Sequence, residues 1–177
     1  NMETLCLAAD ASIACSLEAI KGSHKPFDRR IHDSRPHLGQ SISAARISEL
    51  VSNSEIMLSH IDCDRVQDAY CFRCSPQVHG PVIDMIREVR RILEIEINSA
   101  TDNPLVFVDD DGSADIISGG NFHGQNLSLA SDSIAIACHE LASISERRIN
   151  QLLDPNWSGQ HAFLAKNEGL ESGLMIV

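Results

Sequence analysis

The sequence predicts a mainly α fold: long antiparallel helices in a helical bundle, joined by functional loops and one small β-hairpin. Three observations carry this. Val82, Ile86, Val89 and Leu93 recur at i, i+4, i+7 and i+11 within residues 77–98, the stripe of an amphipathic helix about six turns long. Residues 125–153 are apolar almost all round, through Leu127, Leu129, Ile134, Ile136, Leu141 and Ile144, which suits a helix buried in a bundle or an oligomer interface. The one strand-like pattern is short, spanning residues 105–117.

The elements follow in order. Residues 2–21 place Ala, Leu and Ile on most faces and close at Gly22, predicting a buried helix. Residues 22–37 read as a basic loop punctuated by Pro26 and Pro36, and residues 41–51 as a second helix with Ile42, Ala45 and Leu50 apolar. Residues 52–63 read as a loop or short turn. Thr101-Asp-Asn-Pro104 ends the amphipathic helix, since proline cannot continue it. Leu105-Val-Phe-Val, an acidic turn at Asp111-Gly112, and Ile116-Ile117 make the hairpin. In the long helix that follows, Ser145-Glu-Arg-Arg-Ile149 sets cations near the negative end of the dipole, and Asp154-Pro155 stops it.

Composition excludes several classes. A chain of 177 residues with 43% hydrophobic and 22% charged residues can bury a core, and it does not read as disordered. A net charge of -11 and only 4% aromatics argue against a nucleic-acid platform, because phosphate binding needs a basic surface. No apolar run reaches the roughly 20 residues of a membrane span. No basic stretch followed by an apolar one opens the sequence, so a cytoplasmic chain with six reduced thiols is expected. The sequence stops inside an apolar stretch, Gly173-Leu-Met-Ile-Val177, so residues 1–177 are expected to be a single segment, a fragment of a longer domain.

Candidate chemistry concentrates in Asp64–Gly80. If this segment is helical, Gln67, Tyr70 and Arg73 share one side of the rod. An amide, a phenol and a permanent cation there suit a carboxylate-bearing ligand. The competing reading pairs Arg73 with Asp64, Asp68 or Glu96 as a bond between helices, and local physics leaves both open. Ser118-Gly-Gly-Asn-Phe-His-Gly124 is a second polar element. Its glycines would let the chain turn sharply and bring Asn121, Phe122 and His123 close to something, unless Asn121 or His123 merely caps the next helix.

Other site patterns are weaker. His60, Cys63, Cys71, Cys74 and His79 have the count of a zinc site, but Cys71 and Cys74 would lie on a helix without the turn that closes a knuckle. Buried free thiols, and no metal, are expected instead. Asp109-Asp-Asp-Gly112 lacks the Glu of a calcium loop. Neither a phosphate-binding glycine loop nor a nucleophile elbow occurs.

Taken in order, these pieces resemble the aromatic amino-acid ammonia-lyase family, most of all its histidine branch. The matching stretches are Phe27-Asp-x-Arg-Ile-His32, Arg35-Pro-His-x-Gly-Gln40, Cys63-Asp-Arg-Val-Gln-Asp-Ala-Tyr70 and Arg73-Cys-x-Pro-Gln-Val-His-Gly80. Asn98-Ser-Ala-Thr-Asp-Asn-Pro104, Ser118-Gly-Gly-Asn-Phe-His-Gly124, Ile144-Ser-Glu-Arg-Arg-Ile149 and Ala162-Phe-Leu164 continue the series. The resemblance implies an all-α, fumarase-like architecture and a homotetramer whose sites combine loops of neighbouring subunits. It also implies elimination of ammonia from an amino acid, here L-histidine giving trans-urocanate, through a methylidene-imidazolone electrophile formed from Ala-Ser-Gly.

On this resemblance Arg73 holds the substrate carboxylate, Gln67 and Tyr70 hydrogen-bond near substrate and prosthetic group, and Phe122 is an active-site aromatic. Tyr70 and Phe122 are then the catalytic candidates, Gln67 and Arg73 the substrate-binding ones. His123 leans towards the histidine branch, although Asn-Phe-His-Gly also looks like tyrosine aminomutases. No Ala-Ser-Gly occurs in the 177 residues. The family's tyrosine base and prosthetic loop would lie upstream and an active-site glutamate downstream. Gln125-Asn126 and Trp157-Ser-Gly-Gln-His161 depart from the histidine pattern. Two rival readings are a tyrosine aminomutase or other aromatic lyase, and a non-catalytic helical scaffold.

Overall fold

The computed structural model of the chain describes residues 1–62 and 66–176. In chain order the elements are α1 (Met2–Ala19), α2 (Arg29–Asp33), α3 (Leu38–Leu50), α4 (Glu55–Leu58), α5 (Tyr70–Arg73), α6 (Ser75–Glu96), β1 (Leu105–Val108), β2 (Ala114–Ile117), α7 (Gln125–Leu153) and α8 (Pro155–Ser158). Short 3₁₀ turns lie at Lys25–Phe27 and Ala162–Leu164. The mainly helical architecture with one small hairpin is the one the sequence predicts. Among the described residues no helix is long and apolar enough to cross a membrane.

Two compact units divide the chain, Asn1–Asp84 with Ala137–Val177 and Met85–Ile136. In the first unit α1 and α2 both pack on α3. The core gathers Ile13 and Leu17 from α1, Ile20 just beyond its end, Ile47 from α3, Met57 from α4, Phe72 from α5 and Ile144 from α7. These side chains are wholly or nearly wholly buried, each worth about 1.5–3 kcal/mol of transfer from water. The α1–α3 contact is polar at its centre. Buried Asp10 accepts from the Ser43 hydroxyl at 2.6 Å and from His79 Nδ1 at 2.8 Å, while Arg46 Nη1 lies 3.4 Å from its other oxygen. Thus α1 is only half the buried helix expected: Leu5 and Leu7 are exposed.

Helix α3 crosses α6 at two glycines. A Cβ on Gly39 would sit 2.1 Å from the Gly80 carbonyl oxygen, and one on Gly80 2.4 Å from the Gln40 backbone. The same crossing supplies α3 with its N-terminal acceptor. His37 offers no side-chain cap, and Asp84 Oδ1 of α6 takes the Gly39 amide at 2.8 Å instead, satisfying one of the donors a helix start leaves open.

Three expectations need correction. Residues 22–37 are not one loop: Asp28 caps the Arg30 amide and starts α2. Within residues 52–63, Ser54 accepts from the Met57 amide and starts α4. Helices of four or five residues are too short to show periodicity. The Asp64–Gly80 segment is not one helix either, since residues 66–69 are non-helical and Cys74 separates α5 from α6. Asp64 and Cys63 lie outside the described residues.

In the second unit β1 and β2 pair antiparallel, Leu105 opposite Ile117 and Val108 opposite Ala114. Gly112 turns with φ +84°, a conformation glycine adopts without penalty. The Ser113 hydroxyl donates to Asp111 at 2.6 Å and to Asp109 at 3.3 Å, which is the solvated acidic turn expected. Leu93, the last residue of the α6 stripe, is exposed, as are Leu129 and Ile136 of α7.

Candidate active site

The wall around Arg73 is held by Asp68. Its buried carboxylate accepts from the Ser23 amide at 2.6 Å, tying extended residues 66–69 to the turn after α1 and aiming the start of α5. Cys71 and Phe72 then go inward, so Tyr70 and Arg73 turn outward. Tyr70 is 71% exposed. Its ring lies under Arg73, the guanidinium carbon 4.6 Å from the ring centroid, within reach of a cation–π attraction.

Arg73 lines a cavity of about 360 Å³ together with Lys25, Val66, Gln67, Asp68 and Gln77. Among the described residues it forms no ion pair, and its Nε is buried without a hydrogen-bond partner. Among the described residues no ion pair joins Arg73 to Asp68, and Asp64 lies outside them. A buried, unpaired donor costs about 1–3 kcal/mol, which a carboxylate taking the Nε–Nη edge would return. Gln77 Oε1 is buried and unpartnered as well.

Of the residues singled out from sequence, Gln67 and Arg73 share this cavity. Tyr70 is not part of its lining; it stacks beneath Arg73 and lines a neighbouring cavity of about 450 Å³ with Glu140 and Arg147. Gln67 is brought there by extended chain, not by helical spacing. Lys25 and Gln77 were missed. Gln77 stands four residues after Arg73, a spacing that was visible, whereas nothing local marks Lys25.

Phe122 belongs to the second unit and is 62% exposed. Its loop is organised by Asn103, whose Oδ1 accepts from the Ser118 hydroxyl at 3.0 Å and the Gly119 amide at 2.8 Å. Asn121 donates to the Ala100 carbonyl at 3.3 Å, so its amide is turned to the 98–104 segment and not to capping α7. Gly119, Gly120 and Gly124 have open space where a Cβ would stand and no positive φ. The end of α7 also differs from expectation. Arg147 pairs with Glu146 at the surface, but Arg148 is buried. Among the described residues no group of three or more His, Cys, Asp or Glu could hold a metal ion. Cys6 and Cys71 are buried free thiols, and burial raises both pKa values; Cys15 is exposed.

Fold and cavity together define a helical protein with a small pocket whose wall carries an arginine, a lysine and two amide side chains. The aromatic amino acid lyase family profile matches residues 1–177, and the chain belongs to that family. Histidine ammonia-lyase of Myxococcus xanthus is 54% identical over 174 residues, covering 98% of this chain and 34% of that protein. The crystal structure of histidine ammonia-lyase from Trypanosoma cruzi superposes with a TM-score of 0.85 at 44% identity, covering 99% of this chain and 31% of that one. Tyrosine aminomutase from Streptomyces globisporus gives a TM-score of 0.83 at 35% identity, covering 96% and 36%. The chain thus spans about a third of the length of the curated relatives it matches.

Proposed function

We propose that these residues form the central part of a histidine ammonia-lyase-like enzyme that eliminates ammonia from L-histidine to give trans-urocanate. The observation that carries the reading is Arg73, without an ion-pair partner among the described residues and with its buried Nε unsatisfied at the wall of a ligand-sized cavity. Among the solved structures, identity to histidine ammonia-lyase, at 44% against 35% for the tyrosine aminomutase of Streptomyces globisporus, favours histidine as the substrate.

Arg73 grips the substrate carboxylate through two parallel N–H bonds, a charge-assisted geometry that fixes orientation as well as affinity. Tyr70 holds the guanidinium from below, and its exposed hydroxyl is free to donate to the substrate or the prosthetic group. Gln67 and Gln77 offer amides on the same wall, and Lys25 adds a second positive charge. The family-like motif around Phe122 is what marks it as an active-site aromatic. A methylidene-imidazolone, where an Ala-Ser-Gly segment outside these residues provides it, supplies the electrophile that makes the amine a leaving group. The donors present fit the substrate side of such a site. We also take the working protein to be a cytoplasmic homotetramer, which would cover the exposed apolar residues of α7.

In the full-length protein, Arg73→Lys is expected to raise KM for histidine about tenfold or more, because an ammonium cannot reproduce the planar fork. Unchanged kinetics would remove Arg73 from the site. Urocanate formation by residues 1–177 alone would refute an electrophile outside them, and β-tyrosine formed from tyrosine would favour the aminomutase.

A further inference from the structure

Behind α5 lies a buried cation that substrate binding does not explain. Arg148, on α7, is 2% exposed. Its Nε donates to the Cys71 carbonyl at 3.2 Å and its Nη2 to the Ser75 hydroxyl at 3.3 Å. The Ser75 hydroxyl donates to the same Cys71 carbonyl at 3.2 Å. One guanidinium therefore clasps the middle of α5 and the first residue of α6, across the break at Cys74.

The clasp answers a local weakness. A four-residue helix gains little from its own hydrogen bonds, and its last carbonyls have no partner within it. Burial is also costly for the clasping group, lowering its pKa to about 10. Among the described residues no carboxylate pairs with Arg148, so its bonds to Cys71 and Ser75 are what it offers in return. An apolar side chain of similar size would fill the space more cheaply. What such a side chain could not do is fix the angle between α5, which carries Tyr70 and Arg73, and α6, which carries Gln77.

We propose that Arg148 is a positioning residue for the carboxylate-binding wall: by bridging the Cys71 carbonyl and Ser75 it sets the direction in which Arg73 faces the cavity. The proposal rests on Arg73 being the carboxylate ligand. It makes Arg148 act through Arg73, at one remove from the substrate.

The test is a double-mutant cycle in the full-length enzyme, reading KM for histidine and the inhibition constant of urocanate. Arg148→Lys keeps the charge and loses the fork. It is expected to raise both constants about tenfold, less than the roughly hundredfold that a full 1 Å misplacement can cost, with kcat changed less than KM. A purely structural role would lower the melting temperature and the active fraction but leave both constants unchanged. In an Arg73→Met background, Arg148→Lys should add less than about twofold, since coupled positions are not additive. Raised KM in Arg73→Met with unchanged KM in Arg148→Lys overturns the proposal and spares the site. Unchanged KM in Arg73→Met overturns both. Should Arg148→Lys fail to fold, Ser75→Ala decides: loss of both bonds of its hydroxyl, the one accepted from the Arg148 guanidinium and the one donated to the Cys71 carbonyl, should raise KM about threefold or more, and an unchanged KM refutes the clasp.

Discussion

Gly80→Ala is the sharpest test of how the site is held. The added Cβ would lie 2.4 Å from both the amide nitrogen and Cα of Gln40, where ordinary contact begins at 3.4 Å. Backbone on both sides leaves no flexible side chain to yield, so α3 and α6 must part by about 1 Å. Overpacking of this kind costs about 1–3 kcal/mol. The same shift stretches the 2.8 Å bond from the Gly39 amide to Asp84 beyond hydrogen-bonding range, adding about 1 kcal/mol for a lost helix cap. A total loss near 3 kcal/mol is expected, read as a lower urea midpoint with an unchanged slope. Gly120→Ala is the control: a Cβ there meets nothing within 4 Å, and surface changes of that kind stay within about 0.5 kcal/mol. Equal stability of the two variants would refute the close glycine crossing.

Further outcomes are expected. Asp10→Ala strands buried His79 and Ser43 without their acceptor and should cost roughly 3–5 kcal/mol in denaturant titration. Asn103→Ala removes the acceptor of the Gly119 amide, so exchange of that amide should accelerate about tenfold while amides in the core of α1 stay protected. Brief treatment with an alkylating reagent near pH 8 should label Cys15 well before Cys6 and Cys71. Burial raises the latter two pKa values, so their thiolate fraction is smaller there and grows only at higher pH.

Sequence was most legible where periodicity is long. The helices α6 and α7 and the β1–β2 hairpin carry enough repeats for their apolar pattern or turn chemistry to decide them. It misled where an element is shorter than its own period, at α2, α4 and the broken segment around Tyr70. The site was half visible. Arg73 and Gln67, singled out from the sequence, line one cavity, but the helical spacing that first paired them does not exist. Gln67 arrives through the non-helical residues 66–69, anchored by Asp68.

By itself the sequence determined the helical class, the hairpin and the ordered motifs of the aromatic amino acid lyase family, because those are written in neighbouring residues. Tertiary structure alone decided that Arg148 is buried and clasps Cys71, 77 positions away. It alone made Asp84 the cap of α3 through the Gly39 amide, 45 positions away, and placed Lys25 on the same cavity as Arg73. Each of these depends on which surfaces meet once helices pack, and side-chain type and spacing along one segment carry no record of that. A polar residue that reads as a surface charge in sequence becomes a structural bond when a distant carbonyl is left without a partner.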